Sequence, residues 1–253
     1  MLKPKKVTKC LIDADIVSYR AASGTEGSHP DDTIDKVDTL MQYIVDSTVV
    51  FPTKDNLEVY LTGVGNFRYD IAKTTPYKGN RKDVVKPTNL PQAREHLVER
   101  WGAIVSQGEE ADDLIAMSAM NGDPETTVIC SIDKDFLQVP CWMFNFVKDT
   151  WVKTSVDDGN IFFYTQVLTG DRADNILGIH RVGPVKAAKI LDGLTTEEEL
   201  YKACVEAYIT SSDALMVNPE DRPKWCVDRV IENARLLWLR RYPNELWSPP
   251  DGG

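Results

Sequence analysis

The chain has 253 residues and a mass of 28.4 kDa, with 42% hydrophobic and 27% charged residues. This composition is typical of a globular protein with a sizeable core and excludes a disordered chain. No apolar run reaches the roughly 18 residues that a membrane span needs, and the start lacks a signal peptide's apolar stretch. The five cysteines form no CxxC pair and the three histidines are scattered. We therefore expect an intracellular protein with reduced thiols and no structural zinc site.

The net charge argues at first against a nucleic-acid-binding protein. The 39 acidic residues outnumber the 29 basic ones, which leaves a formal charge of −10. Phosphate contacts require a basic surface. The distribution of the acidic residues along the chain therefore decides how this charge is interpreted.

In chain order, strand and helix patterns alternate up to about residue 155. Apolar residues at helical spacing mark the helices, and short apolar runs mark the strands. This alternation predicts an α/β fold with a mainly parallel sheet flanked by helices. The predicted elements are a strand at 7–13, helices at 16–22 and 31–50, a strand at 56–63, a polar and basic stretch at 67–91, a helix at 93–101, a strand at 103–106, a helix at 110–120 and a strand at 126–132.

The pattern becomes mostly helical after about residue 156. Helices are predicted at 185–191, 196–209 and 221–241. The sequence thus predicts two domains, an α/β core at 1–155 and a helical region at 156–253.

Nine carboxylates fall in four short groups beside predicted strand ends or a glycine turn. Ligands of open parallel sheets bind at the carboxyl ends of the strands, and three of these groups are expected at one such edge. Without these nine, 30 acidic residues face 29 basic ones, so the rest of the molecule is nearly neutral. The groups are Asp13 with Asp15, Glu110 with Asp112 and Asp113, Asp133 with Asp135, and Asp171 with Asp174.

Such clustered carboxylates favour a site for Mg²⁺ or Mn²⁺. These cations prefer oxygen ligands, and so many negative charges repel one another unless cations offset them. Two divalent ions about 3.5–4 Å apart are a device for hydrolysing phosphodiesters. The alternative is that each group is only a helix cap or a solvated loop.

Two further segments suit a nucleic-acid substrate. Lys78 and Arg81 lie three residues apart and could clamp a phosphate, beside Tyr77, whose ring could stack on a base. The alternative is an ordinary basic loop.

The segment from Gly178 to Lys189 has the make-up of a helix–hairpin–helix that grips a nucleic-acid backbone. In this second segment Gly178 and Gly183 permit the turn, Lys186 and Lys189 add charge, and the alternative is a simple turn between helices.

These residues together resemble the 5′-nuclease family, which includes flap endonucleases, bacteriophage 5′-exonucleases and the 5′-nuclease domain of DNA polymerase I. The resemblance rests on five motifs in order, LIDAD (11–15), YKGNR (77–81), EADD (110–113), SIDKDF (131–136) and GDRADNILGI…VGP..AAKIL (170–191). It implies a PIN-like core, an arch or clamp at about 77–109, and a DNA-binding helix–hairpin–helix at about 170–191 that commonly holds K⁺.

The resemblance also implies roles for individual residues. Lys78 and Arg81 match a phosphate-contacting pair, and Tyr77 matches an aromatic residue beside it. Thr62 stands where the family often has a further aspartate, and the short stretch between 81 and 110 favours an open clamp. The implied ligands of two Mg²⁺ or Mn²⁺ ions are Asp13, Glu110, Asp112, Asp133, Asp135, Asp171 and Asp174.

The resulting functional hypothesis is a metal-dependent 5′-3′ exonuclease or flap endonuclease. Its expected partner is DNA with 5′ ends, flaps or branches, and RNA–DNA hybrids are a further expected substrate. We expect a monomer in a bacterial or phage-infected cytoplasm. The alternatives are a haloacid-dehalogenase-like phosphatase with Asp13 as nucleophile, a non-catalytic DNA-binding relative, and a PIN-type ribonuclease.

Overall fold

The computed structural model describes residues 3–48, 53 and 56–250. The last two residues of the helix predicted at 31–50 lie outside these ranges. The chain divides into two compact units. The first comprises 1–66, 84–155 and 241–243, and the second comprises 67–83, 156–240 and 244–253.

The first unit is built on one six-stranded sheet. Its order is β3-β2-β1-β4-β5-β6, with parallel pairing throughout except between β5 and β6. The predicted α/β class with a mainly parallel sheet is therefore confirmed. The strands are β1 (Lys9–Asp13), β2 (Leu57–Val64), β3 (Ile104–Gln107), β4 (Thr127–Cys130), β5 (Trp142–Asn145) and β6 (Thr150–Lys153).

Helices cover the sheet, which explains why its central strands read as continuous apolar runs. Cys10, Leu11 and Ile12 in β1 are all fully buried, as expected for a strand covered on both faces. Cys10 and Ile12 share a core cluster with Met41 and Leu97 from two of these helices. The helices of this unit are α1 (Ala14–Gly24), α2 (Pro30–Thr48), α4 (Leu90–Trp101) and α5 (Ala111–Met120).

The antiparallel pair β5–β6 was not among the predicted elements. Each strand has only four residues, and the connecting turn contains no glycine. Asp149 instead takes the left-handed conformation, with φ of 51°, that the turn requires. The usual glycine or Asn-Gly signal of a hairpin is therefore missing from the sequence.

The second unit is mainly helical. A short two-stranded ribbon links two of its helices, and its core gathers aromatic rings such as Phe163, Tyr164 and Trp247. Its elements are α3 (Arg68–Ile71), α6 (Val156–Thr169), β7 (Gly170–Asp171), β8 (Ile176–Leu177), α7 (Pro184–Ile190), α8 (Glu197–Ile209), α9 (Ser212–Leu215) and α10 (Arg222–Leu237). Among the described residues, no helix combines the length and apolar character needed to cross a membrane.

Residues 67–83 pack with this second unit, whereas the sequence assigned them to the first domain. Arg68 is 2% exposed, and its guanidinium donates to the carbonyl oxygens of Leu236 (2.9 Å) and Trp238 (2.8 Å). Tyr77 joins the aromatic core of the same unit. Such contacts between residues distant in sequence are not visible in local patterns.

Candidate functional site

The first group of acidic residues lies at the end of β1, the strand between β2 and β4 in the sheet. β1 and β4 are parallel neighbours, so their carboxyl ends share one edge. The connection after β1 leads to β2 on one side, and the connection after β3 crosses to β4 on the other side of β1. Asp13 ends β1 and is 2% exposed. The Ser131 hydroxyl donates to Asp13 Oδ2 (2.6 Å) and accepts from the Asp133 amide (3.0 Å). The fold thus brings Asp13 and the Asp133 segment together, as the strand pattern predicts.

Burial dominates the electrostatics of Asp13. Desolvation first, and the neighbouring charges of Asp15 and Asp133, raise the pKa of the Asp13 carboxyl to about 7. Hydrogen bonds from Ser131 and the Ile16 amide act in the opposite direction. A carboxylate buried among other carboxylates is the environment that a bound cation stabilises.

Asp15 lies beside Thr62 at the end of β2. The Thr62 amide donates to Asp15 Oδ2 (2.9 Å), and the Thr62 hydroxyl accepts from the Ala111 amide (2.9 Å). Thr62 therefore ties the ends of β1 and β2 to the start of α5. Arg94 of α4 donates to Asp15 Oδ1 and to the Thr62 carbonyl oxygen. Nothing in the sequence singles out Arg94, because one cation on an amphipathic helix is typical of a solvated face.

The EADD group forms the start of α5. Glu110 is the residue before the helix, and its amide donates to Asp113 Oδ2 (3.2 Å). Asp113 is fully buried, Glu110 is 9% exposed and Asp112 is half-buried. Asp113 therefore caps the helix, while Glu110 and Asp112 remain the proposed ligands of this group.

The SIDKDF group bends into a 3-10 turn directly after β4. The Asp135 amide donates to Asp133 Oδ1 (2.9 Å), and Lys134 Nζ lies 3.9 Å from Asp135 Oδ1. In the described part of the chain, no three Asp, Glu, His or Cys side chains already enclose a metal position. The oxygen donors at this edge nevertheless fit a hard divalent cation chemically.

In the second unit, the YKGNR and GDRADN motifs pack together around Asp174. Arg81 pairs with Asp174 Oδ1 (2.6 Å), the Tyr77 hydroxyl donates to Oδ2 (2.7 Å), and Lys78 Nζ lies 3.8 Å from Oδ2. The Lys78 amide also donates to the Asp174 carbonyl oxygen (2.9 Å). Asp171 is 6% exposed and accepts from the Ala173 amide (2.7 Å). Asp174, a predicted metal ligand, is thus the counterion of the predicted phosphate-contacting pair.

Tyr77 does not present its ring as the sequence suggested. The side chain is only 4% exposed because it belongs to the aromatic core, so its faces are not available for a base to stack on. Its ring meets Tyr69 edge-on at 5.8 Å between centroids, and Tyr69 is 58% exposed. Tyr69 was missed because only the packing of α3 shows that it neighbours Tyr77.

The residues of the predicted helix–hairpin–helix precede and begin α7. Lys186 and Lys189 are exposed on this helix at a spacing of three residues. Gly183 precedes α7, and a methyl group added there would meet no atom within 4 Å. Gly178 differs, because an added Cβ would overlap the backbone of Thr169 and Gly170. Close backbone packing therefore requires a glycine at position 178 but not at position 183.

Comparisons with known proteins agree with these features. No family model matches the chain. The flap endonuclease Xni of Vibrio parahaemolyticus is 28% identical over 177 residues, covering 63% of this chain and 62% of that protein. The Vibrio cholerae flap endonuclease Xni is 28% identical over 142 residues, covering 49% and 54%. DNA polymerase I of Caldicellulosiruptor bescii is 32% identical over 149 residues, covering 50% of this chain and 17% of that protein.

Solved structures share the fold at low sequence identity. The zinc-bound 5′-exonuclease of bacteriophage T5 matches with a TM-score of 0.64 and 15% identity, covering 90% of this chain and 88% of that chain. A complex of the T5 flap endonuclease with DNA and metal ions matches with a TM-score of 0.51 and 16% identity, covering 89% and 98%. At these identities, the likeness shows a common fold.

The fold and the acidic sheet edge define a PIN-like α/β protein. The sequence relatives are named flap endonuclease and DNA polymerase I, which agrees with the 5′-nuclease resemblance of the five ordered motifs. The chain spans between about half and three fifths of the length of the curated flap endonucleases that it matches first.

Proposed function

We propose that this protein is a structure-selective 5′-3′ exonuclease or flap endonuclease that hydrolyses phosphodiester bonds of DNA. The main support is the coupling of Asp13 and Asp133 through Ser131 at the carboxyl edge of β1 and β4. A non-catalytic DNA-binding relative would have no need to bury Asp13 among like charges. The proposed setting is the cytoplasm, with the protein acting as a monomer.

The proposed cofactor is Mg²⁺ or Mn²⁺, held by the acidic side chains of the first unit. When bound, such cations supply an activated water and stabilise the oxygen that leaves the phosphate. The proposed ligands in the first unit are Asp13, Glu110, Asp112, Asp133 and Asp135. Ser131 holds the Asp13 carboxylate in one orientation by donating its hydroxyl proton to Oδ2.

Lys78 and Arg81 are the proposed phosphate contacts of the second unit. Their side chains are 18% and 49% exposed, and both are oriented by Asp174. Positive groups positioned in advance stabilise the charge that develops on a reacting phosphate. Lys186 and Lys189 would contact the nucleic-acid backbone without reading its sequence.

The decisive experiment is cleavage of a 5′-flap DNA duplex labelled either at the 5′ end or internally. We expect cutting near the junction with Mg²⁺, a 5′-phosphate on the product, and no cutting in EDTA. Single-stranded RNA and an RNA–DNA hybrid flap serve as comparison substrates. Selective cutting of the single-stranded RNA would instead favour a PIN-type ribonuclease, and binding of the flap without cutting would favour the non-catalytic relative.

Tyr69 is the proposed stacking residue, in place of Tyr77. Its helix is anchored by the buried Arg68, and its ring rests against Tyr77, the neighbour of Lys78. An exposed aromatic ring beside a proposed phosphate-contacting cation is suited to stacking on an unpaired base.

Substitution Tyr69→Ala should weaken flap binding about tenfold, since stacking on one base contributes roughly 1–3 kcal/mol. Tyr69→Phe keeps the ring and should bind like the wild type in the same fluorescence-anisotropy titration. The loss should disappear on a flap whose nucleotides at the junction are abasic. An equal loss on the abasic and the normal flap would argue against stacking.

A further inference from the structure

Arg94 places a guanidinium within the acidic edge of the first unit. Its guanidinium donates through one nitrogen to Asp15 Oδ1 and through the other to the Thr62 carbonyl oxygen. The planar guanidinium presents several N–H donors at once, which suits simultaneous contact with a carboxylate and a carbonyl oxygen. The contact is partly shielded from solvent, since both side chains are 30% exposed.

Both oxygens of the Asp15 carboxylate have protein partners. Oδ1 accepts from Arg94, and Oδ2 accepts from the Thr62 amide at 2.9 Å. Binding a cation through Asp15 would require breaking a charge-assisted hydrogen bond or bringing a divalent ion close to a guanidinium. Both are unfavourable. Within residues 3–48, 53 and 56–250, Asp13 has no such cation: its partners there are the Ser131 hydroxyl and the Ile16 amide.

Thr62 connects this pair to the rest of the edge. Its carbonyl accepts from Arg94, its amide donates to Asp15, and its hydroxyl accepts from the first amide of α5 at 2.9 Å. The group next to α5 is Glu110, one of the proposed metal ligands. Through Thr62, Arg94 therefore helps to position both Asp15 and the start of α5 beside Glu110.

We infer that Arg94 acts as a built-in cation that keeps Asp15 out of the metal-binding set and positions the end of β2 beside the acidic groups. The inference rests on the proposed metal-dependent function. It assigns Arg94 as a positioning residue, because the guanidinium acts through Asp15 and Thr62. Asp15 and Asp13, two residues apart, thus have different roles: Asp15 pairs with a protein cation, and Asp13 is a proposed metal ligand.

The test is Mn²⁺ binding to the intact chain, measured by calorimetry and by the electron paramagnetic resonance signal of free Mn²⁺. We expect Asp15→Asn to leave Mn²⁺ affinity within about twofold of the wild type. Arg94→Met should raise the affinity about tenfold or add a site, because it releases the Asp15 carboxylate. In the double variant this gain should vanish, and Arg94→Lys should bind like the wild type.

Controls separate this inference from folding effects and from the nuclease activity. Arg100→Met removes an exposed cation from the same helix and should not change Mn²⁺ binding. Thermal melts report folding, and if Arg94→Met does not fold, Asp15→Asn and Arg94→Lys still decide the question. A loss of tenfold or more in Asp15→Asn, or no gain in a folded Arg94→Met, overturns the inference. Absence of Mn²⁺ binding in both the wild type and Arg94→Met also overturns it.

Cleavage of the flap duplex is measured on the same preparations. If the Mn²⁺-binding pattern is as expected but the wild type does not cut DNA, the proposed function is wrong and the role of Arg94 is supported. If the wild type cuts DNA but the variants show the opposite Mn²⁺-binding pattern, the proposed function stands and the role of Arg94 is overturned.

Discussion

Substitution Asp133→Ala should reduce Mg²⁺-dependent cleavage of a 5′-flap duplex by about 10²–10³-fold or more, with little loss of stability. Removing one group that stabilises charge in a reaction commonly costs this much. Asp133 follows β4 and faces solvent more than Asp13 does, so its side chain is not part of the apolar core. The measurement is the single-turnover cleavage rate at saturating protein, with a thermal melt on the same sample.

A matched control is Asp35→Ala, which removes an exposed aspartate from α2 in the same unit. We expect its cleavage rate to stay within about twofold of the wild type, since surface substitutions away from special features have small effects. If Asp133→Ala cuts at the wild-type rate, the acidic edge is not the reaction centre. If Asp35→Ala loses as much activity as Asp133→Ala, the loss reflects overall charge and not the site.

Substitution Gly178→Ala should destabilise the second unit by about 3 kcal/mol. Gly178 packs against the backbone that joins α6 to β7, and an added methyl group would overlap the Thr169 carbonyl carbon and the Gly170 amide nitrogen. Backbone atoms cannot move aside as the end of a flexible side chain can, so the cost reaches the upper range for overpacking. The quantity to measure is the free energy of unfolding in urea.

Gly183→Ala is the control for this prediction, because both glycines belong to the same predicted hairpin. Gly183 has open space around its Cα and φ of −107°, a conformation that alanine adopts. We expect its unfolding free energy to change by less than about 1 kcal/mol, the usual size of a cap effect. Equal destabilisation by the two substitutions would show that the close approach at Gly178 is not the cause.

Much of the fold follows from local patterns, as does the part of the site at the strand ends of the first unit. The apolar runs and amphipathic helices of the first 155 residues predict a parallel sheet, because strand and helix periodicity depend on neighbours in sequence. That Asp13 and Asp133 would meet also followed, since the carboxyl ends of parallel neighbours share an edge. The short β5–β6 pair escaped prediction because its turn relies on Asp149 in place of glycine.

The sequence by itself determined which residue types are present and which strand ends carry them, since these depend on composition and short-range spacing. Only the tertiary structure decided their partners. The packing of α3 leaves Tyr69 exposed beside the buried Tyr77. Asp174 pairs with Arg81, which is more than 90 positions away in sequence. Arg94 contacts Asp15 from a helix that is distant in sequence. Burial and ion pairing are properties of three-dimensional neighbours, and those neighbours are set by the packing of whole elements.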